Sequence, residues 1–145
     1  MLTDKELGVL KHLRENSRAT VTEIGRKVNL PRSTVYDKIR KLRESGVIKK
    51  YSCLVNFEQL GLPIAVKVLF RVDGKDRARF GEMLTNCPNS NDVVKLGNDF
   101  DYLVSFAFSS MNELHEFLDG LSKCCNTNYS IMYVSKELKK EGFLV

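Results

Sequence analysis

Polar and charged side chains, most of them hydrogen-bond donors or cations, are concentrated between positions 32 and 50. The candidate binding residues among them are Arg32, Ser33, Thr34, Tyr36, Asp37, Arg40, Lys41, Lys49 and Lys50. Guanidinium, ammonium and hydroxyl groups bind phosphate oxygens and donate to base edges. The two histidines, His12 and His115, lie far apart in the sequence and belong to no acid/base cluster. We therefore expect polyanion binding and no catalytic residue.

A pair of short helices must present these side chains. Thr20 and Glu23 form a capping box that starts the first helix, and Pro31 ends it. The second helix carries a buried stripe of Val35, Ile39 and Leu42. Its opposite face carries the donors and cations, and Gly46 ends it. This pattern predicts a helix-turn-helix whose second helix lies in a DNA major groove. An ordinary amphipathic helix pair with a solvated charged face is the alternative.

The charge distribution supports a nucleic-acid partner. Residues 1–50 hold 13 Lys and Arg against 6 Asp and Glu, a net charge of +7, whereas the other 95 residues hold 10 against 12. The whole chain has a net charge of +5. The positive excess is thus confined to the half with the helix pair, where phosphate neutralisation requires it. The predicted partner is double-stranded DNA.

Neither a metal site nor a membrane segment is expected. The four cysteines, Cys53, Cys87, Cys124 and Cys125, lack zinc-ligand spacing and should be reduced thiols. We place Cys124 and Cys125 at a buried helix end rather than in a redox pair. No apolar run approaches the length of a membrane span, and no signal-peptide pattern opens the chain. We expect a cytoplasmic protein without a cofactor.

After Gly46 the pattern changes from helical to extended. Residues 47–61 predict a wing strand and linker, with one glycine-closed helical turn near the end. The remaining elements are predicted as a strand at 64–72, a helix at 76–86, strands at 92–97 and 102–108, a helix at 111–121 and a strand at 129–134. The fold class is α+β: a winged helix-turn-helix (1–55) followed by a ferredoxin-like βαββαβ sandwich (62–145).

The predicted sandwich leaves one sheet face uncovered. In the strand at 64–72, one side is formed by Ile64, Val66, Val68, Phe70 and Val72 and the other by Ala65, Lys67, Leu69 and Arg71. The first side should lie beneath the helices. The second should lie on the open face, next to a third strand that is apolar on both sides. We expect this face to form an obligate homodimer, which places two recognition helices on a pseudo-palindromic site.

The chain resembles the Lrp/AsnC ("feast/famine") family of prokaryotic transcription regulators. The resemblance rests on Leu2-Thr3-Asp4 with Leu10, on Thr22-Glu23-Ile24-Gly25, on the spacing from Leu30 to Tyr51, and on the turn Gly97, Asn98, Asp99, Phe100, Asp101 and Tyr102. It implies a dimer that assembles further, to a tetramer or octamer, and an amino acid or small metabolite bound near that turn. The segment 89–91 is polar where the family usually has an apolar residue.

Two other functions are compatible with this architecture. An architectural protein that coats DNA with little sequence preference would use the same phosphate contacts. The haem-biosynthesis decarboxylases share the two-domain arrangement, but they would need placed acid/base groups and no basic N-terminal half. We favour a sequence-specific transcriptional regulator over both.

Overall fold

The structure, a computed structural model, describes residues 1–97 and 99–142. Its elements are α1 (Asp4–Glu15), α2 (Val21–Val28), α3 (Arg32–Glu44), a 3₁₀ turn (Glu58–Leu60), β1 (Ile64–Val72), α4 (Arg77–Thr85), β2 (Ser90–Lys95), β3 (Tyr102–Phe108), α5 (Met111–Cys124) and β4 (Thr127–Tyr133). The chain divides into an N-terminal unit, Met1–Leu54 with the tail from Lys139, and a C-terminal unit, Val55–Leu138.

The N-terminal unit is a three-helix cluster around a small apolar core. Its buried residues are Val9, Leu13, Ile24, Val35 and Leu42. Thr3 and Thr20 cap α1 and α2, and in both caps a Glu three residues later completes a capping box. The apolar stripe predicted for α3 is confirmed, since Val35 and Leu42 are buried and Ile39 packs against them.

The turn between α2 and α3 is tight because two residues there have special backbone roles. Asn29 adopts the left-handed conformation with φ of 51°, and the Leu30 N–H donates to the Gly25 carbonyl at 2.9 Å. A Cβ on Gly25 would lie 2.7 Å from the Leu30 carbonyl oxygen. Only glycine allows the chain to turn back so closely.

The wing strand expected within residues 47–61 is not formed. Apart from the 3₁₀ turn at Glu58–Leu60, this segment has no regular secondary structure. A strand requires a ladder partner, and Ile48 is bound instead to the end of α3, where its N–H donates to the Leu42 carbonyl at 2.9 Å.

The C-terminal tail does not belong to the second domain, which the sequence predicted at 62–145. Arg14 Nη2 donates to the Glu141 carbonyl at 2.9 Å, which places the tail in the N-terminal unit.

The C-terminal unit is built on a four-stranded antiparallel sheet with the order β2-β3-β1-β4. The side of β1 predicted to lie beneath the helices is buried: Val66, Val68, Phe70 and Val72 are each no more than 3% exposed. They pack with Phe80 of α4 and with Leu114 and Leu118 of α5. The βαββαβ order predicted from the sequence is confirmed.

The other side of the sheet, called the open face below, is mixed in character. The strand register assigns to it Asp92 and Val94 of β2, Leu103, Ser105 and Ala107 of β3, Ala65, Lys67, Leu69 and Arg71 of β1, and Asn128, Ser130 and Met132 of β4. Val94 and Met132 are 46% and 41% exposed. Apolar side chains thus reach solvent on both outer strands.

Strand β2 begins two residues earlier than the sequence predicted, because the polar segment before it is bound by side-chain hydrogen bonds. Ser90 Oγ donates to the Leu84 carbonyl at 2.9 Å and to the Cys87 carbonyl at 2.8 Å. Asn89 Nδ2 donates to the Ala107 carbonyl at 3.0 Å. The hydrogen bonds of Asn89 and Ser90 thus connect the end of α4 to β3.

Candidate nucleic-acid interface

The solvent-facing side of α3 carries most of the predicted DNA-binding residues. Arg32, Ser33, Tyr36, Asp37 and Arg40 are exposed, whereas Thr34 is half-buried. Tyr36 is 59% exposed, which is unusually high for an aromatic side chain. The helix-turn-helix therefore presents a row of donors and one large aromatic ring to solvent.

Arg40 is oriented by carboxylates of its own helix. Its Nη2 lies 3.1 Å from Asp37 Oδ1, and its Nε lies 4.0 Å from Glu44 Oε1. These are the i,i+3 and i,i+4 neighbours of a helix surface. Asp37 therefore orients a cation of its own helix. The Arg40 side chain remains 60% exposed and available to a ligand.

Lys41 lies on another side of α3, where it forms an ion pair with Glu6 of α1. Its Nζ lies 3.1 Å from Glu6 Oε1 of α1, and Lys38 Nζ lies 3.8 Å from the same oxygen. Glu6 is the only buried charged residue among those that the structure describes, at 3% exposure. Its carboxylate also accepts from the Thr3 N–H at 2.8 Å and Thr3 Oγ1 at 2.9 Å. Glu6 thus joins the start of α1 to the recognition helix.

Sequence reasoning missed this role of Glu6. The Thr3-x-x-Glu6 spacing is typical of a capping box, but a carboxylate that caps its own helix gives no sign of a second partner far along the chain. The hydrogen bonds from Thr3, followed by that from Lys41, lower the pKa of Glu6 from 4.5 to about 2. The carboxylate therefore stays charged throughout the physiological range.

Replacement of Glu6 by Gln should make the stability of the N-terminal unit less dependent on pH in acid. The folded pKa of Glu6 is lowered, so its contribution is complete above the unfolded value of 4.5 and is lost as the pH falls through about 2. The stability difference between wild type and Glu6→Gln should therefore be largest at neutral pH and shrink between these two values. Urea unfolding of both proteins across this range measures it.

The matched control is Glu15→Gln, which removes an exposed carboxylate from the same helix. It should leave the acid dependence of stability close to that of the wild type. If Glu6→Gln and wild type lose stability in parallel as the pH falls, the proposed coupling of Glu6 to Thr3 and Lys41 is wrong.

The segment after α3 extends the basic surface. Lys49 and Lys50 are both exposed, and Gly46 turns the chain with φ of 73°. The Arg43 guanidinium lies 6.0 Å from the centre of the Tyr51 ring, which holds this segment against the end of α3. Two lysines therefore follow the recognition helix closely.

A second candidate site is the turn between β2 and β3, where the resemblance implies an effector. Asp101 is fully engaged there: the Val72 N–H donates to its Oδ2 at 2.8 Å, and Arg77 Nε lies 2.6 Å from its Oδ1. The buried Tyr102 hydroxyl donates to the Arg77 carbonyl at 2.8 Å. Asp101 and Tyr102 thus hold the turn to the end of β1 and to α4.

Arg71 contacts two further residues of the turn, Asp99 and Phe100. Its Nε donates to the Asp99 carbonyl at 2.6 Å, and its guanidinium lies 5.5 Å from the centre of the Phe100 ring. Gly97 is exposed, and Asn98 lies outside the described residues. A cavity of about 370 Å³ lies beside the turn. Its lining carries positive charges from Arg71 and Arg77 and negative charges from Asp73, Asp99 and Asp101.

The described part of the chain offers little for other kinds of site. Within residues 1–97 and 99–142, no three His, Cys, Asp or Glu side chains are grouped as metal ligands would be. The same residues contain no helix with the length and apolar character needed to cross a membrane. Cys125 is buried at the end of α5 and Cys124 is exposed beside it.

Both halves of the chain match known protein families. A model of winged helix-turn-helix DNA-binding domains matches residues 2–49, and a model of the Lrp/AsnC ligand binding domain matches residues 65–143. The HTH-type transcriptional regulator FL11 of Pyrococcus furiosus is 31% identical over 119 residues, which cover 82% of this chain and 79% of FL11. LrpC of Bacillus subtilis is 25% identical over 92% of this chain and 93% of LrpC.

Solved structures have the same architecture. The structure of B. subtilis LrpC has a TM-score of 0.85 at 25% identity and covers 96% of this chain and 99% of its own. A Neisseria meningitidis transcriptional regulator, NMB0573, in complex with L-Met has the same fold, with a TM-score of 0.87 at 23% identity over 97% and 94% of the two chains. This chain belongs to the Lrp/AsnC family and is a DNA-binding transcriptional regulator, not an enzyme.

Proposed function

We propose that this regulator reads a specific DNA sequence with the exposed face of α3 and acts as a symmetric oligomer. The observation that carries the proposal is Arg40, whose solvent-facing guanidinium is held by Asp37 in the second helix of a helix-turn-helix. A planar fork that is already oriented suits bidentate contact with guanine O6 and N7. Ser33 and Tyr36, also exposed on α3, are the second readers.

The phosphate contacts come from the cations around the reading face. Arg32 begins α3, and Lys49 and Lys50 follow it, all three exposed. They supply the sequence-independent part of the affinity, together with the other cations of the basic N-terminal half. Lys41 remains a candidate contact of this kind, because its side chain is 74% exposed although its ammonium lies beside Glu6. A chromosomal target also implies a cytoplasmic protein.

Arg40→Ala should lower affinity for the preferred site by about 1–3 kcal/mol and relax base preference at one position per half-site. The reason is the loss of a bidentate base contact that no neighbouring side chain replaces. The contrasting variant is Lys49→Ala with Lys50→Ala, which should weaken binding to all sequences and flatten the salt dependence by roughly two phosphate units. Titration of specific and random duplexes over a range of salt concentrations separates the two effects.

Selection of bound sites from random DNA tests the proposal as a whole. A sequence-specific regulator should enrich one motif with inverted half-sites, because a symmetric dimer contacts both in the same way. A protein that coats DNA would enrich no motif, and its affinities for selected and random duplexes would be equal. That outcome would refute base reading by α3.

The dimer is proposed to form through the open face of the sheet. Val94 and Met132 are exposed there, and Leu69 and Leu103 at the centre are half-buried. Two copies related by a two-fold axis would cover these apolar side chains with the same surface. Further contacts between dimers would give the tetramer or octamer that the family resemblance implies.

The effector is proposed to be an amino acid bound beside the β2–β3 turn. The cavity there has guanidinium and carboxylate groups in its lining, which suit the two opposite charges of an α-amino acid. A relative with the same fold has been solved with L-Met. Of the predicted residues, Gly97, Asn98, Asp99 and Phe100 remain candidates for contact, whereas Asp101 and Tyr102 position the turn. Repeating the DNA selection with an amino-acid mixture tests for an effect on binding.

A further inference from the structure

The open face carries one cation at its centre. Lys67 lies in the middle of β1, with Ser105 of β3 on one side and Met132 of β4 on the other. Its side chain is exposed. Within residues 1–97 and 99–142, the ion pairs include none to Lys67. An ammonium in this position must find a partner if the face is covered, because an unpaired buried charge is costly.

A single carboxylate shares the face with it. Among the residues of the four strands, all of which the structure describes, Asp92 is the only acidic residue on the open face. It lies on the edge strand β2, opposite Ser105, and Ser105 in turn lies opposite Lys67. The three residues are therefore at the same height along the strands.

Within one chain, Asp92 and Lys67 are separated by two strand spacings, roughly 10 Å. The structure forms no ion pair between them. Each charge is therefore available to a second molecule that approaches the face.

A second copy of the chain brings the two charges closer. In the proposed dimer, the two-fold axis would lie between the sheets, nearly parallel to the strands and above the boundary of β3 and β1, so that it exchanges β3 with β1 and β2 with β4. It keeps each residue at its height along the strands. Lys67 then faces β3 of the partner and is offset from Asp92 of the partner subunit by one strand spacing, roughly 5 Å, across a gap of about 10 Å between sheets. A Lys and an Asp side chain together can bridge that distance.

We propose that Lys67 pairs with Asp92 of the partner subunit, twice in each dimer, and that this pair makes the open face selective for a second copy of the same chain. The inference rests on the proposed dimer and adds what determines its register and its partner. A sheet that presents a cation, or no charge, opposite Lys67 would leave the ammonium unpaired or repelled. A similar sheet without an acidic residue at the position of Asp92 would thereby be disfavoured as a partner.

A charge exchange between two variants tests the pair. Lys67→Glu alone places two carboxylates together, and Asp92→Lys alone places two ammonium groups together. Each should raise the dimer dissociation constant about tenfold or more, measured by sedimentation. In an equal mixture of the two variants, one chain then supplies both carboxylates and the other both ammonium groups. The mixture should recover wild-type dimer strength, and native mass spectrometry should show heterodimers.

Two further proteins give the experiment its controls. Lys123→Glu makes the same charge change on the exposed surface of α5 and should leave dimer strength unchanged. The double variant Lys67→Glu with Asp92→Lys carries complementary charges in one chain and should form homodimers, even if either single variant fails to fold.

The outcomes separate this inference from the dimer itself. If both single variants dimerise as strongly as wild type, or if neither the mixture nor the double variant recovers dimerisation, the Lys67–Asp92 pair is overturned while the sheet dimer stands. If the wild-type protein is monomeric at low micromolar concentration, the proposed dimer fails, and the pair fails with it.

Discussion

Gly25→Ala should unfold the helix-turn-helix and abolish specific DNA binding while the sandwich remains folded. The new Cβ would lie 2.7 Å from the Leu30 carbonyl oxygen and 3.6 Å from Val35 Cγ2. The Leu30 backbone cannot withdraw, because its N–H donates to the Gly25 carbonyl and Pro31 fixes the next φ. The turn must open, at a cost of about 3 kcal/mol, near the upper end for overpacking a core.

Hydrogen exchange resolved by segment measures this effect, because unfolding of a two-unit chain does not follow a single transition. Amides of α2 and α3 should lose protection in Gly25→Ala, and those of the sheet should keep it. Gly120→Ala is the matched control. It lies in α5 with nothing within 4 Å of the added Cβ, and should stabilise that helix by about 0.5–1 kcal/mol. Wild-type protection of α2 in Gly25→Ala would show that the turn tolerates a side chain.

Phe70→Ala should destabilise the C-terminal unit by about 3–5 kcal/mol, a large part of the stability of an ordinary domain. Phe70 is fully buried on the helix-covered side of β1. Its ring lies 5.2 Å from that of Phe80 and 6.3 Å from that of Phe106, edge to face in both pairs. Removal of the ring loses these contacts and leaves a cavity that the rigid sheet cannot close.

Leu69→Ala provides the comparison, because Leu69 is the next residue of the same strand but lies on the open face. It should weaken self-association and affect the sandwich core much less than Phe70→Ala does. Urea unfolding, monitored by the exchange protection of the sheet amides, measures the stability of the core, and sedimentation measures self-association. Equal losses of core stability in the two variants would mean that the faces of β1 are assigned wrongly.

Local patterns in the sequence predicted those elements that are determined by their own residues. The capping box at Thr20 placed the start of α2, and the alternation in β1 assigned its buried side. Both signals act within one element, through caps or through side-chain period. The ion pair between Asp37 and Arg40 is also local, because it joins i,i+3 neighbours of one helix.

Features that depend on distant partners were not predictable in this way. The wing strand was expected from β-branched residues near Val47, but strand propensity cannot supply a ladder partner. The second role of Glu6 depends on Lys41, 35 residues further along the chain. The contacts of Asp101 with Arg77 and Val72 likewise join residues far apart in the sequence. The sequence therefore suggested that the whole turn contacts a ligand, whereas Asp101 holds the turn in place.

On α3, the residues that anchor the helix and the residues proposed to read bases point in different directions. Val35 and Leu42 face the core, Lys38 and Lys41 face Glu6, and Ser33, Tyr36 and Arg40 face solvent. If these three side chains read bases as proposed, mutations at their positions should change which operator is bound without loss of the fold. A duplicated copy of the gene can acquire new target promoters through a few substitutions, so this arrangement of one helix favours the divergence of regulatory networks.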